Sequence, residues 1–437
     1  MVDVSYFKDR FEQLQNASTD SEIGNIRIKG FDTFNKTGLP ALRNEEWKYT
    51  GISSLFDKVY HFAGDDGKLA ITQSDVEAIR LPGHQQANEL VFVNGRFMSA
   101  FSTIRSSDDQ LIVLPLEQAA KGIYKKLVKE HLGQSSSYIK DGIHALNTSF
   151  IYGGVFIHVA KGMELEHPVY LYHLSDVREH HKLSQPRSLV YVDEGSKLQL
   201  VETYKTIGTS DGLTNEVMEM VVNGNALVEY YKIQNDAANA SQVSTTHIRQ
   251  TGRSFVHAVT ITLSGGIIRN NMNLVLEAAG NEAHLYGLYM IKGRTHADNH
   301  TLVDNREPNC LSNQLYKGIV DDNATGVFNG KIMVQPQAQK TNAYQSNKNI
   351  LLSDNASINT KPQLEIFADD VKCSHGCTVG QLDEAALFYL RARGIPKESA
   401  RALLLQAFTE DILDQVKPKQ LHKYVKQLIT EQLFINR

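Results

Sequence analysis

The sequence predicts a mainly β protein: a stacked β-solenoid core, preceded by a mixed helical region and followed by a helical one. Three observations carry this. From about residue 153 to residue 373, short β-branched and apolar runs alternate with turns that hold Gly or Asn. The turns recur at Gly162, Gly195, Gly224, Gly252 and Gly280, in steps of 33, 29, 28 and 28 residues, with a weaker echo at Asn323 and Asn355, 32 apart. Within one unit the alternation is clean: Phe255, His257, Val259, Ile261 and Leu263 share one face, and Val256, Ala258, Thr260 and Thr262 the other. A steady period of strands with a turn residue at each corner marks coils stacked on one another, each covering its neighbour's open face. Strand spacing alone also allows a sandwich or a barrel, and the constancy of the period favours the solenoid.

In chain order, residues 1–150 read as a mixed α/β region, residues 151–380 as the β core and residues 381–437 as a helical domain. Val4, Phe7, Phe11 and Leu14 recur at helical spacing and predict a first amphipathic helix. RNEEWKYT, Arg43 to Thr50, reads as a charged helix start with one buried aromatic, Trp47. LVFVNGRF, Leu90 to Phe97, predicts a hairpin on an Asn-Gly turn. Ile123, Leu127 and Val128 predict a second helix, stopped by Gly133. Beyond Gly380 three helices follow. Asp383 caps the first and Gly394 ends it; Pro396 opens the second, with a stripe of Ala400, Leu403, Leu404, Ala407, Phe408 and Ile412; Pro418 opens the third, with Leu421, Tyr424, Val425, Leu428 and Ile429. The tail reads as a separate module whose stripes pack on each other or dock a partner.

The chain has 437 residues, a net charge of −4 and 22% charged residues, which gives no sign of a polyanion partner and argues against nucleic-acid binding. Three cysteines in so long a chain do not make a disulfide framework and point to a reducing compartment. The segment MVDVSYFKDRFEQLQ has dispersed charges and does not read as a secretory signal, and no run of 18 apolar residues predicts a membrane span. The expectation is a cytoplasmic protein. The nucleotide-binding loop, the G-x-S-x-G elbow, H-E-x-x-H and C-x-x-C are all missing from the sequence, so no enzyme activity is expected. His296 and His300 in THADNH read as turn or surface residues, and His158, His167 and His284 as strand residues.

The stretch FADDVKCSHGCTVG, Phe367 to Gly380, carries the chemistry. Cys373, His375 and Cys377 stand at i, i+2 and i+4, which puts them on one face of an extended strand. Thiolate and imidazole suit iron, iron–sulfur species, zinc or copper(I). Same-face neighbours on a strand lie about 6.5–7 Å apart, whereas ligands of one ion sit about 2.0–2.3 Å from it. A straight strand therefore offers at most two of the three to one ion, unless Gly376 lets it bend. The site is open, transient or completed by another chain; otherwise the cysteines are small core residues. A solenoid has an exposed end coil that must be covered or paired, and this stretch lies in or beside it.

ADDVKCSHGCTVG followed by LFYLRARGI, and preceded by LSNQLYKGIV, GVFNGKIMV and KPQLEIFADD, resembles the SufB/SufD family of the Suf iron–sulfur cluster assembly system, and its SufD branch more than its SufB branch. The resemblance extends over most of the chain. It implies a right-handed parallel β-helix between two helical regions. It implies pairing with a SufB-like subunit through the β-helix ends, and binding of a SufC-like ATPase through the C-terminal helices. It implies cluster assembly at the interface, with Cys373 and His375 binding a transient iron or nascent cluster shared with the SufB-like subunit, and none held tightly by the chain alone. His375 is the stronger iron ligand by this match. Cys377 stands where relatives are expected to carry alanine, so its place in the metal set stays open. Two other classes compete: a β-helix enzyme acting on polysaccharides, which needs carboxylates in a groove, and a metal-free homodimer that pairs through the same edge.

Overall fold

The computed structural model describes residues 4–17, 21–62 and 70–434. Its helices are α1 (Val4–Ala17), α2 (Ser21–Thr37), α3 (Gln73–Glu77), α4 (Leu116–Ala119), α5 (Lys125–His131), α6 (Gly142–Ser149), α7 (Glu384–Ala392), α8 (Lys397–Leu413) and α9 (Lys419–Phe434). Its strands are β1 (Asn88–Val93), β2 (Arg96–Phe97), β3 (Leu111–Pro115), β4 (Val155–Val159), β5 (Val169–Asp176), β6 (Lys182–Ser184), β7 (Arg187–Val192), β8 (Lys197–Ile207), β9 (Gly212–Val222), β10 (Leu227–Asn235), β11 (Ala240–Gln250), β12 (Phe255–Ser264), β13 (Ile267–Leu276), β14 (Glu282–Ile291), β15 (His296–Asn305), β16 (Leu311–Val320), β17 (Thr325–Val334), β18 (Asn342–Leu351), β19 (Ser357–Ile366) and β20 (Lys372–Gly380).

From β8 onward, alternate strands belong to opposite sheets. One sheet runs β2-β1-β5-β8-β10-β12-β14-β16-β18-β20, and the other β19-β17-β15-β13-β11-β9-β7-β4-β3, with β6 beside β9. Every pairing from β8 to β20 is parallel. This is a parallel β-solenoid. The recurring steps between turns are its coils: Tyr230 pairs with Ala258, 28 residues on, and Ala258 with Leu285, 27 residues on. Between the sheets lies the main core, with Leu200, Val228, Val256, Met272, Leu285 and Phe328 among its members.

The alternation in β12 resolves in an instructive way. Val256 and Ala258 face the solenoid interior. The more apolar set of Val259, Ile261 and Leu263 faces outward, where it packs against Leu405, Ile412, Leu421, Val425 and Ile429 of α8 and α9. The tail is thus no separate module. It folds back along the flank of the solenoid, and Lys317 of β16 ties it there by donating to Phe408 O at 2.8 Å and Asp411 Oδ2 at 2.5 Å. The expected stripe on α8 holds in part: Ala400 and Ile412 are buried and Phe408 packs on the same cluster. Leu403 and Ala407 are exposed, while Ala402, Leu405 and Thr409 are buried, because the helix must meet both the sheet and α9. The stripe on α9 holds, with Leu421, Val425 and Ile429 buried. Asp383 caps α7 through Ala385 N and Ala386 N, and Gly394 follows it at φ 86°.

The N-terminal region edges the first coils through β1 and β3 and runs along the outer face of the second sheet, where Thr50 meets Asp298 and Tyr138 meets Asp304 of β15. β1 and β2 form the expected hairpin, with Asn94 and Gly95 both at positive φ as an Asn-Gly turn requires, and β1 then joins the solenoid sheet through β5. α1 forms as expected, with Phe7, Phe11 and Leu14 in an aromatic-rich core; the side chain of Val4 lies outside the described residues. Ile123 does not anchor α5: it precedes the helix and is exposed. α2 was not expected from the sequence. Trp47 is buried, as expected, on a single 3-10 turn rather than a full helix.

His296 and His300 also depart from expectation. Both lie on β15 and are largely covered by the RNEEWKYT segment. His300 Nε2 sits 3.0 Å from Asp298, whose partner Arg269 lies over the Trp47 ring at 3.9 Å. The hydrogen bond from His300, set against burial, holds the Glu46 carboxyl down at about 2. His158 and His284 are strand residues as expected, while His167 precedes β5 and contacts Gln86 O at 2.8 Å.

Candidate functional site

Cys373, His375 and Cys377 all lie on β20, the last strand of its sheet. The register pairs them with Ala343, Gln345 and Asn347 of β18, each fully or almost fully buried. Since side chains alternate across a strand, the three candidate ligands occupy the inward-facing column of the solenoid. One coil earlier that column is core; on the final coil nothing among the described residues stacks above it. Cys373 is accordingly half-covered, packed beside Ile332, Val334, Ala343 and Ala368, and burial pushes its thiol above the ordinary range. His375 and Cys377 are exposed.

The other wall of this mouth is β19, the last strand of the second sheet. Thr360, Pro362 and Leu364 continue the column of Phe328, Gly330 and Ile332. Pro362 has no N–H to give a further strand, a feature of sheet edges. Apolar groups stand exposed around this end, among them Tyr344, Ile366, Phe367 and Val379.

The register through Gly376 is unbroken from Lys372 to Gly380, so the bend that would gather three ligands on one ion does not form. The same-face spacing of about 6.5–7 Å persists, and the set remains open on its outer side. A cleft of about 790 Å³ lies within the N-terminal region and one of about 740 Å³ between that region and the solenoid, and neither is lined by Cys373, His375 or Cys377.

A second ligand-rich cluster, missed in the sequence, lies deep in the solenoid interior. His173 of β5, Glu202 of β8 and Glu216 of β9 bring one ligand atom each within 4.8 Å of one another. His173 Nε2 is 2.8 Å from Glu202, Tyr204 donates to Glu216 at 2.5 Å, and Tyr230 donates to Glu202. Lys232 Nζ stands 3.4 Å from both carboxylates, so this cluster already holds a cation of its own. Burial and the charge of Glu202 push the Glu216 carboxyl well up. Against the same burial, Lys232, Glu216 and His173 hold Glu202 well below the usual range. Lys232 thus stands between two buried carboxyls pushed in opposite directions, Glu216 toward its neutral form and Glu202 toward its charged form. A sequence signal existed: Glu202 and Lys232 stand one coil apart at inward positions, where the surrounding pattern calls for apolar residues.

Comparison with known proteins decides the family. Residues 174–408 match the model described as SUF system FeS cluster assembly, SufBD core domain, and residues 4–171 match the SufBD protein N-terminal region. The chain belongs to the SufBD family. An iron–sulfur cluster assembly SufBD family protein of Synechocystis is 32% identical over 427 residues, 96% of this chain and 93% of that protein. The iron–sulfur cluster assembly protein SufD of Escherichia coli is 28% identical over 410 residues, covering 91% and 90%. SufD of Bacillus subtilis is 27% identical over 324 residues, covering 69% and 71%. SufBD membership gives the chain a role in iron–sulfur cluster assembly within the Suf system, and its fold is the parallel β-solenoid described above. Among the described residues no helix is long and apolar enough to cross a membrane.

Proposed function

We propose that this chain is a non-catalytic, cytoplasmic scaffold subunit of a SufBCD-type complex. It pairs with a SufB-like subunit through the open end of its β-solenoid. Iron or a nascent cluster is the cargo, bound transiently between His375 and Cys373 on this side and ligands of the partner on the other. The carrying observation is the placement of Cys373, His375 and Cys377 on the inward column of an uncovered final coil. A partner that caps this coil would bury the apolar rim, satisfy two sheet edges and complete an unfinished ligand set in one step. Cys377 stands next in the column, and its part in binding is decided by substitution.

In this reading residues 1–150 brace the core at 151–380 along one sheet, and residues 381–437 receive a SufC-like ATPase. The face that α7 presents supports this, since Phe388 and Tyr389 are 72% and 58% exposed, an unusual placement for two large rings on one helix. ATP-driven motion of that subunit would rearrange the end-coil interface.

The test is anaerobic reconstitution of the chain with SufB- and SufC-like partners, comparing wild type with His375→Ala. The variant is expected to fold and assemble normally and to lose most cluster formation. Undiminished cluster yield from an assembled His375→Ala complex overturns the assignment. The same edges also suit a homodimer when the chain is alone, which sedimentation of the isolated protein decides.

A further inference from the structure

The column that ends in His375 continues inward through a second polar group and a third. Gln345 pairs with His375 above it, and Gln314 pairs with Gln345 below, so successive side chains stand roughly 4.8 Å apart on the interior face. Both glutamines are buried, at 3% and 1% exposure. Their orientation is set from beneath. The Thr301 hydroxyl donates to Gln314 Oε1 at 2.6 Å, and Gln345 Nε2 is directed at the same oxygen at 3.4 Å. Gln345 Nε2 takes the Gln314 contact, which leaves Gln345 Oε1 outside it, one register step below His375. That oxygen is buried and has no hydrogen-bond partner, and Gln314 Nε2, on the same pair, is likewise without one. Room for the amide comes from Gly330 on the facing sheet, where a Cβ would lie 2.3 Å from Gln345 Nε2.

A buried carbonyl oxygen without a donor is uncommon and needs a reason. An imidazole that ligates through one ring nitrogen needs an acceptor for the N–H on the other, and that acceptor fixes its tautomer and direction. We propose that Gln345 is the positioning residue for His375, its Oε1 accepting the imidazole N–H so that the second ring nitrogen is presented at the open face. This rests on the reading of His375 as an iron ligand. Thr301 and Gln314 serve it indirectly by holding the amide the right way round.

The experiment uses the isolated full chain with ¹⁵N-labelled histidine, with Co²⁺ as an optical and titration probe for Fe²⁺. His375 is identified by the signals that vanish in His375→Ala. In the wild type, the His375 ring is expected in one tautomer. Gln345→Leu removes the acceptor, and is expected to mix the tautomers and to weaken Co²⁺ binding about tenfold, the low end for loss of such a partner. Gln345→Glu keeps an acceptor and is expected to retain a single tautomer and wild-type or tighter binding. An unchanged His375 ring spectrum in Gln345→Leu overturns the proposal, as does a mixed one in Gln345→Glu, which decides the matter even where the leucine variant fails to fold. If His375→Ala leaves Co²⁺ binding intact, the reading of His375 as ligand fails instead, and the ring spectra still judge Gln345 by themselves.

Discussion

Lys232 is the most exacting place to test the interior. Its ammonium faces Glu202 and Glu216 at 3.4 Å each, with all three side chains fully or almost fully buried. Lys232→Met keeps the length of the side chain and deletes the charge, so one buried carboxylate is left without its counter-ion. Removing one partner of such a pair destabilises by about 3–5 kcal/mol when the remaining charge has no escape. Here it has one, since Glu202 can take a proton. From an ordinary value of 4.5, protonation at pH 7 costs about 3.4 kcal/mol and falls by about 1.4 kcal/mol for each pH unit lower. That sets a ceiling of about 3.4 kcal/mol at neutral pH. The variant's deficit therefore shrinks as the pH is lowered, and adding Glu202→Gln recovers most of it. Urea unfolding at pH 8, 7 and 6, followed by circular dichroism, measures this. A deficit that stays constant over that range, or a double variant no more stable than the single one, refutes the account of a charge-balanced interior.

Two other outcomes follow from packing and protonation. Burial holds His144 neutral, with its value down at about 3, and Glu219 is kept at about 2 by Arg187 and the N–H groups of Ser135 and Gly133 against its burial; both values are depressed, so the stability each contributes is whole above its unfolded value and is lost on acidification, from about pH 6.5 down for the histidine and from about 4.5 down for the glutamate. Trp47 fluorescence should report loosening of the N-terminal region that begins below pH 6.5, and a flat response down to pH 4 contradicts this. Gly287→Ala places a Cβ 2.2 Å from the Tyr316 ring in the solenoid interior and should lower stability by about 1–3 kcal/mol, seen as a reduced melting temperature; wild-type melting would mean that the ring moves aside freely.

The solenoid was legible because its corner residues repeat in number as well as in kind. The end coil was legible because a ligand-rich strand stood where the repeats stopped. What the sequence concealed has physical causes. In α2, SEIGNIRIKGFDTFNKT carries Gly24 and Gly30 inside a helix, which weakens any propensity argument. Gly30 is there because α2 lies so close to α6 that a Cβ would stand 2.9 Å from Ser149 N. In α8 the run ALLLQAF is apolar at too many positions to fix a phase, so the buried face was set by the sheet and by α9. The interior charges were hidden because a strand pattern tells that two faces differ, not which of them is inside. In β12 the more apolar face turned outward to meet the tail, and in β8 and β10 the inward face took Glu202 and Lys232.

A parallel solenoid repeats the same address once per coil, and this bears on why the candidate ligands sit where they do. Ala343, Gln345 and Asn347 hold the positions one coil before Cys373, His375 and Cys377, and there the neighbouring coil seals them. The final coil has the same backbone and the same inward direction without the seal. Side chains at this address are thus held by a ladder that is fully formed on one side, yet remain open on the other. A ligand on a loop would lack that rigidity, and a ligand on an inner coil would lack the access. An incoming strand that continued the ladder would bring its own residues to about 4.8 Å from β20, near enough for donors on the two chains to share one ion. Under the proposed function, one event would satisfy both the edge that the fold leaves unpaired and the candidate ligand set on β20, so a charge such as Val379→Lys placed on the rim would weaken pairing and iron retention together.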